Sequence, residues 1–241
     1  LSIEAQSRSS LEGIDSNYQL TNFERAYGLA AAEFNDFRPP SKVYLFVKRV
    51  ADILISSCAL ILLSPIMLTV ALIVKLQDGG PIIYRQTRVG ILGKTFNFYK
   101  FRSMRVDAEK VLESLVHLSD AQGAAFKMKN DPRRTPFGTI MRKYSLDELP
   151  QIFAVLGGSM SVIGPRPQLP PTVATYTPEH QRRLSVKPGL ICLREVKGRS
   201  RLSFDEWVQL DLEYIQNQSL LMDLKIFLLS IPAVLSGDGA Y

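Results

Sequence analysis

The sequence predicts an α+β, mainly helical protein: a re-entrant membrane helix hairpin followed by a small domain built from a β-hairpin and interfacial helices. Three observations predict this. Ile53 to Val74 is a run of 22 residues without a charge, interrupted near its middle by Ser64-Pro65. Two strand-like segments, 81–86 and 95–101, flank a turn at Gly90-Ile91-Leu92-Gly93. Further on, 204–216 and 220–235 read as helices, the last of them apolar on most faces.

Residues 1–41 are mostly polar and end in Arg38-Pro39-Pro40-Ser41, which reads as a lead or linker with one short helix around Phe23–Phe34. The segment begins at Leu1 and reads as the tail of a longer chain, with no secretory signal pattern. Residues 42–76 follow as the membrane-embedded helix. About 20 apolar residues suffice to cross a hydrocarbon core, so length alone permits a span. Two features favour a hairpin that stays in one leaflet. Pro65 removes a backbone hydrogen bond and breaks or kinks a helix. Basic residues also flank both ends: Lys42, Lys48 and Arg49 before the run, then Lys75, Arg85, Arg88 and Lys94 after it. Such symmetry gives a crossing helix no orientation. A turn back at Ser64-Pro65 leaves both ends on the same face.

Asp78-Gly79-Gly80-Pro81 signals a turn, and the β-hairpin that follows carries Phe96, Phe98, Tyr99 and Phe101. It delivers Lys100 and Arg102 to one end. A helix is expected from Val106 to Leu118, then a polar loop to Pro136. The clustered Arg and Lys of that loop fit a solvated surface or a face toward lipid phosphates. The final helix, around Asp223 and Lys225, suits either closure of the core or a place in the membrane interface.

The densest chemistry lies in Arg142-Lys143-Tyr144-Ser145-Leu146-Asp147-Glu148-Leu149-Pro150-Gln151. Ser145 and Glu148 fit an S-x-x-E capping box, placing Asp147 in a first helical turn extending to Leu156. Free N–H groups and the helix dipole there favour an ionised carboxylate, suited to a nucleophile or a metal ligand. The same residues also fit a plain cap, and Pro150 falls about one position too deep for a cap at Ser145. In Gly164-Pro165-Arg166-Pro167 the prolines restrict the backbone around Arg166, so that its fork of donors can meet a phosphate, although a surface turn has the same sequence.

Composition narrows the partners. The 241 residues suit one domain, or one domain with appendages, and the net charge of +6 points to an anionic partner. Cys58 and Cys192 are the only cysteines, and His117 and His180 the only histidines, which excludes a disulfide framework or a histidine-rich metal centre. There is no glycine-rich nucleotide loop. The apolar run and the lack of a nucleic-acid module argue against nucleic acid.

Taken together, Lys48-Arg49-Val50-Ala51-Asp52, Ser64-Pro65, Tyr99 to Met104, Arg142 to Gln151, Gly164 to Pro167, Val186-Lys187-Pro188-Gly189 and Leu221 to Ile226 resemble the bacterial sugar transferases, the monotopic polyprenyl-phosphate phosphoglycosyl transferases. The resemblance covers about residues 44 to 241. It implies a bacterial inner-membrane protein whose residues 77–241 form a cytoplasmic catalytic domain. It implies catalytic Asp147 and Glu148, with Glu148 holding Mg2+, phosphate-handling Arg142 and Arg166, and a membrane helix broken at Ser64 and Pro65. Lys100, Arg102 and Arg199 line the nucleotide or headgroup site on this reading, with solvated or structural roles equally open. Asp211 matches an acidic family position of undefined role. The implied substrates are a UDP-sugar and polyprenyl phosphate, giving a polyprenyl-diphosphate sugar and UMP at the start of exopolysaccharide, capsule or O-antigen synthesis. Membrane lipid is the other implied partner, and a homo-oligomer is compatible with the sequence. The chain departs from the family at Arg183-Leu184, where Arg-His is common, and at Arg194, where an aromatic residue is common. A non-catalytic membrane-anchored scaffold that binds acidic lipid is the competing reading.

Overall fold

The computed structural model describes residues 40–108, 110–111, 128, 131–198 and 202–237. The expected helix at Phe23–Phe34, most of the helix expected at Val106–Leu118, and Arg199 lie outside these residues. The described chain is mainly helical. It begins with α1 (Lys42–Asp78), then the hairpin β1 (Ile83–Val89) and β2 (Thr95–Phe101). Next come α2 (Pro136–Lys143), a 3-10 helix (Leu146–Gln151), α3 (Ile152–Leu156), β3 (Ser161–Ile163), α4 (Pro170–Ala174) and α5 (Pro178–Gln181). A 3-10 turn (Arg182–Ser185), β4 (Gly189–Ile191), α6 (Leu193–Lys197), α7 (Phe204–Asn217) and α8 (Leu220–Ser236) complete it.

Ser41 caps α1 by accepting the Tyr44 N–H at 3.1 Å, and Gly79, with φ of 69°, ends it. The helix runs without interruption through Ser64-Pro65, so the expected break into two helices is not present as two elements. The hydrogen bonding explains why. Pro65 has no N–H to offer the Ile61 carbonyl one turn back, and the Ser64 hydroxyl donates to that carbonyl instead, at 2.8 Å. Thr69 donates to the Pro65 carbonyl at 2.8 Å. Two hydroxyls thus serve the backbone around the proline.

Both halves of α1 dock on the same small domain. In the first half Arg49 donates to the carbonyls of Val155 and Leu156 at 2.6 and 2.7 Å, closing the end of α3. Asp52, buried, accepts from the Ser161 hydroxyl at 3.0 Å and the Val162 N–H at 2.9 Å. Lys48 and Tyr44 both donate to Asp223 of α8, at 2.8 and 2.9 Å. In the second half Val70 and Val74 are buried against Phe101 and Met141. Between these anchors the helix shows its side chains to the outside, with Ile61 73% and Leu62 75% exposed. By length and composition α1 is able to cross a membrane.

The hairpin forms as expected, shifted in extent: β1 runs on to Val89, pairing antiparallel with β2 from Ile83–Phe101 to Val89–Thr95. The main core gathers Phe98, Val155, Met160, Val162, Leu212, Ile215 and Ile226. The last helix closes the core, as one of its two expected roles required, and leaves an apolar side outward. Its Ile226 is buried in that core, while Leu221, Leu224, Leu228 and Leu235 stay exposed on the outer side.

β3 and β4 pair in parallel, with Ser161 beside Gly189. The backbones come so close that a Cβ on Gly189 would lie 2.1 Å from the Gly164 nitrogen. Gly189→Ala is therefore expected to cost about 1–3 kcal/mol through overpacking, read as a lower midpoint in thermal denaturation of the detergent-solubilised protein.

Candidate active site

Thr135 caps α2 by accepting the Gly138 N–H at 2.9 Å, and Pro136 starts it. Met141 is buried, which leaves Arg142 in the last turn. Its Nε donates to the Ser103 hydroxyl at 2.9 Å. The chain then turns sharply at Ser145, whose φ of 56° is left-handed, an uncommon state for a non-glycine residue. This overturns the expected capping box. The Ser145 side chain makes no cap bond, and the Glu148 N–H donates to the Ser145 carbonyl at 3.1 Å. The segment is a 3-10 helix with Pro150 inside it, not the first turn of an α-helix capped by Ser145.

The turn drives Asp147 inward, to 5% exposure, and sends Glu148 toward two cations. Lys100 of β2 donates to Glu148 Oε1 at 2.7 Å and lies 3.8 Å from Asp147 Oδ2. Arg166 Nη1 donates to Glu148 Oε2 at 3.1 Å, and Nη2 donates to Oε1. Burial works against ionisation of both carboxyls. At Glu148 the charges of Arg166 and Lys100 overcome it and hold the group well below the usual glutamate range. At Asp147 burial wins over Lys100, with Glu148 adding to it, so its pKa is raised. The expectation that a helix start keeps Asp147 readily ionised is thus corrected: desolvation outweighs the local dipole.

Arg166 is fixed from several sides. Its neighbours Pro165 and Pro167 accept from the Gly189 N–H at 2.9 Å and from Arg88 Nη1 at 3.1 Å. Its Nη1 also donates to Glu195 Oε1 of α6 at 3.3 Å. Arg88 lies across the Phe98 ring at 5.2 Å, and burial together with the nearby Arg166 charge lowers its pKa to about 10. Sequence reading used Arg88 only as a flanking charge and passed over Glu195. The sole local sign at Glu195 is its place three residues after Cys192, whose N–H it accepts at 3.4 Å.

The structure therefore brings Asp147, Glu148, Lys100 and Arg166 together, with the Arg142 charge felt at Asp147. Arg102 is engaged elsewhere. It grips Asp78 at the end of α1, with Nη1 to Oδ2 at 2.6 Å, and donates to the Pro81 carbonyl. The Arg102 hydrogen bonds to its carboxylate lower the Asp78 pKa to about 2. Ser64 and Pro65 sit in the middle of α1, Ser64 half-buried and Pro65 exposed. Asp211 also gains a role: it accepts from Arg183 Nε at 2.8 Å, both residues buried, beside the Tyr176 hydroxyl. Arg194, the departure from an aromatic residue, lies over the Trp207 ring at 4.0 Å.

Among the described residues no group of three His, Cys, Asp or Glu side chains is arranged as a metal cage. A magnesium ion needs only one or two carboxylates when substrate phosphates supply the rest, and the adjacent Asp147 and Glu148 fit that donor set.

A long apolar helix is thus docked on a small domain that sets paired carboxylates opposite a lysine and an arginine. The chain belongs to the bacterial sugar transferase family, whose model matches residues 43–237. It is 47% identical over 165 residues to the galactosyl transferase CpsE of Streptococcus agalactiae, covering 68% of this chain and 37% of that protein. It is 39% identical over 198 residues to the exopolysaccharide production protein ExoY of Rhizobium meliloti, covering 80% of this chain and 88% of ExoY. The UDP-glucose:undecaprenyl-phosphate glucose-1-phosphate transferase of Xanthomonas campestris is 38% identical over 206 residues, 82% of this chain and 40% of that protein. The chain thus spans less than half of two of these relatives and most of the third.

Removing one member of the Arg183–Asp211 pair leaves a buried charge alone. Arg183→Met is expected to destabilise by about 3–5 kcal/mol, and the double change Arg183→Met with Asp211→Leu to recover most of that loss. Urea or thermal unfolding of the three proteins measures it.

Proposed function

We propose that the protein is a phosphoglycosyl transferase that moves a sugar-1-phosphate from a UDP-sugar to undecaprenyl phosphate and releases UMP. The observation that carries this reading is the buried Asp147 beside Glu148, faced by Lys100 and Arg166. A carboxylate so placed is a nucleophile among groups that neutralise phosphoryl charge. An Asp147 oxygen attacks the sugar-bearing phosphorus, and the bond to the bridging oxygen breaks. UMP leaves with that oxygen and its electron pair. An oxygen of undecaprenyl phosphate then attacks the aspartyl-phosphosugar, and the carboxylate of Asp147 is restored.

Arg166, Lys100 and Arg142 meet the phosphoryl oxygens, while Glu148 would hold Mg2+. The ion, when bound, supplies charge neutralisation at the diphosphate. The similarity to the Xanthomonas UDP-glucose:undecaprenyl-phosphate glucose-1-phosphate transferase supports donor and acceptor, and that to ExoY supports a part in exopolysaccharide production.

The membrane reading belongs here too. α1 enters one leaflet and returns, bent at Ser64-Pro65, and the domain stays on the cytoplasmic side of the bacterial inner membrane. Three things support it: the outward apolar middle of α1, the docking of both its halves on one domain, and the exposed apolar side of α8.

The test is nucleotide release by purified protein given Mg2+, undecaprenyl phosphate and a panel of UDP-sugars. Lipid-dependent UMP release, lost in Asp147→Asn, is the expected result. UDP as product, or activity surviving in the variant, sinks the mechanism, and lipid binding without turnover favours the scaffold. Because Asp147 attacks only when ionised and its pKa is raised, kcat/KM is expected to fall on acidification at a pH above the ordinary aspartate value of about 3.9. Lys100→Met removes the charge that opposes burial, so the acid limb of its pH profile moves to still higher pH.

A further inference from the structure

We propose that Glu195 is the positioning residue for Arg166, holding Nη1 while Nη2 passes from Glu148 to a phosphate of the donor. The inference rests on Arg166 being the group that meets those phosphates. Its main chain is already pinned on both sides through Pro165 and Pro167, and its carbonyl lies 3.5 Å from Arg183 Nη2. What remains free is the side chain, and two carboxylates from two different elements share it.

They share it unequally. Glu148 receives Nη1, Nη2 and the Lys100 ammonium on its two oxygens, so it is the crowded acceptor. An incoming phosphate competes for those same donors, and the bonds at Glu148 are the ones it exchanges. Nη1 is divided between Glu148 Oε2 at 3.1 Å and Glu195 Oε1 at 3.3 Å, so one carboxylate can release it and the other retain it. Glu195 is itself held. Its Oε2 accepts the Cys192 N–H at 3.4 Å, and the adjacent Arg194 guanidinium lies over Trp207. Its side chain is 19% exposed, close to the 16% of Glu148, so both carboxylates act in the same shielded surroundings. A glutamate that only caps the start of α6 would use one oxygen. The second oxygen is committed to Arg166.

The test is a double-mutant cycle in kcat/KM for the UDP-sugar, using Glu195→Gln, Arg166→Lys and the pair together. Glutamine keeps the shape and an acceptor for the Cys192 N–H but loses the charge. Glu195→Gln is expected to lower kcat/KM on the order of 10-fold, as removal of an orienting partner typically does. Its melting temperature should move by less than about 2 °C. In the Arg166→Lys background the same change should cost no more than about twofold, because residues that act through one another are not additive. Full additivity, or a Glu195→Gln enzyme that turns over like the wild type, overturns the proposal alone. Absence of UMP release from the wild type overturns the parent reading and takes this one with it.

Discussion

The buried carboxylate of Asp52 is the joint on which the rest depends. It sits just before the uncharged run of α1 and receives the Ser161 hydroxyl and the Val162 N–H at the start of β3. β3 leads directly into Pro165-Arg166-Pro167 and lies beside β4, whose Gly189 ties back to Pro165. The position of Arg166 is therefore set by a bond made on the membrane-seeking helix. Hydrogen bonds to a charged group are the strong kind, and a buried carboxylate left without donors is costly. Domain and helix are one mechanical unit because the carboxylate between them must be satisfied.

The site shows the same logic at closer range. Glu148 is kept ionised by Arg166 and Lys100 despite its burial, whereas Asp147, with a more distant lysine, is pushed toward its neutral form. Two adjacent carboxyls thus have opposite tendencies because one carries the salt bridges and the other the desolvation. Such division of two neighbouring groups is a recurrent way of giving them different tasks.

Much of this was legible in the sequence, and the rest was not for definite reasons. The extents of α1, α7 and α8 and the hairpin were legible because each rests on local pattern: an uncharged run, apolar residues on helices, aromatic residues around a glycine turn. The Asp147-Glu148 pair was legible as a motif. Its geometry was not, since Ser145-x-x-Glu148 reads the same whether Ser145 caps an α-helix or turns through a left-handed conformation. Glu195, Arg88 and the role of Asp211 escaped because each is defined by a partner far along the chain. At Ser64-Pro65 the sequence pointed to a break, and the chain stays helical through it. Proline alone argues for an end, and the neighbouring hydroxyl that replaces its missing donor makes continuation possible.

In the proposed membrane placement, a helix anchored through both halves to one domain lacks the freedom that membrane helices ordinarily use. It has little scope to tilt, slide or lengthen its buried stretch to suit a thicker or thinner bilayer, because Arg49 and Asp52 fix one half while Val70 and Val74 fix the other. A mismatch in thickness would then be taken up by deformation of the surrounding lipid, at fractions of a kcal/mol per Å. In the membrane placement proposed above, the protein would impose its own depth, and the bilayer around α1 would conform to it.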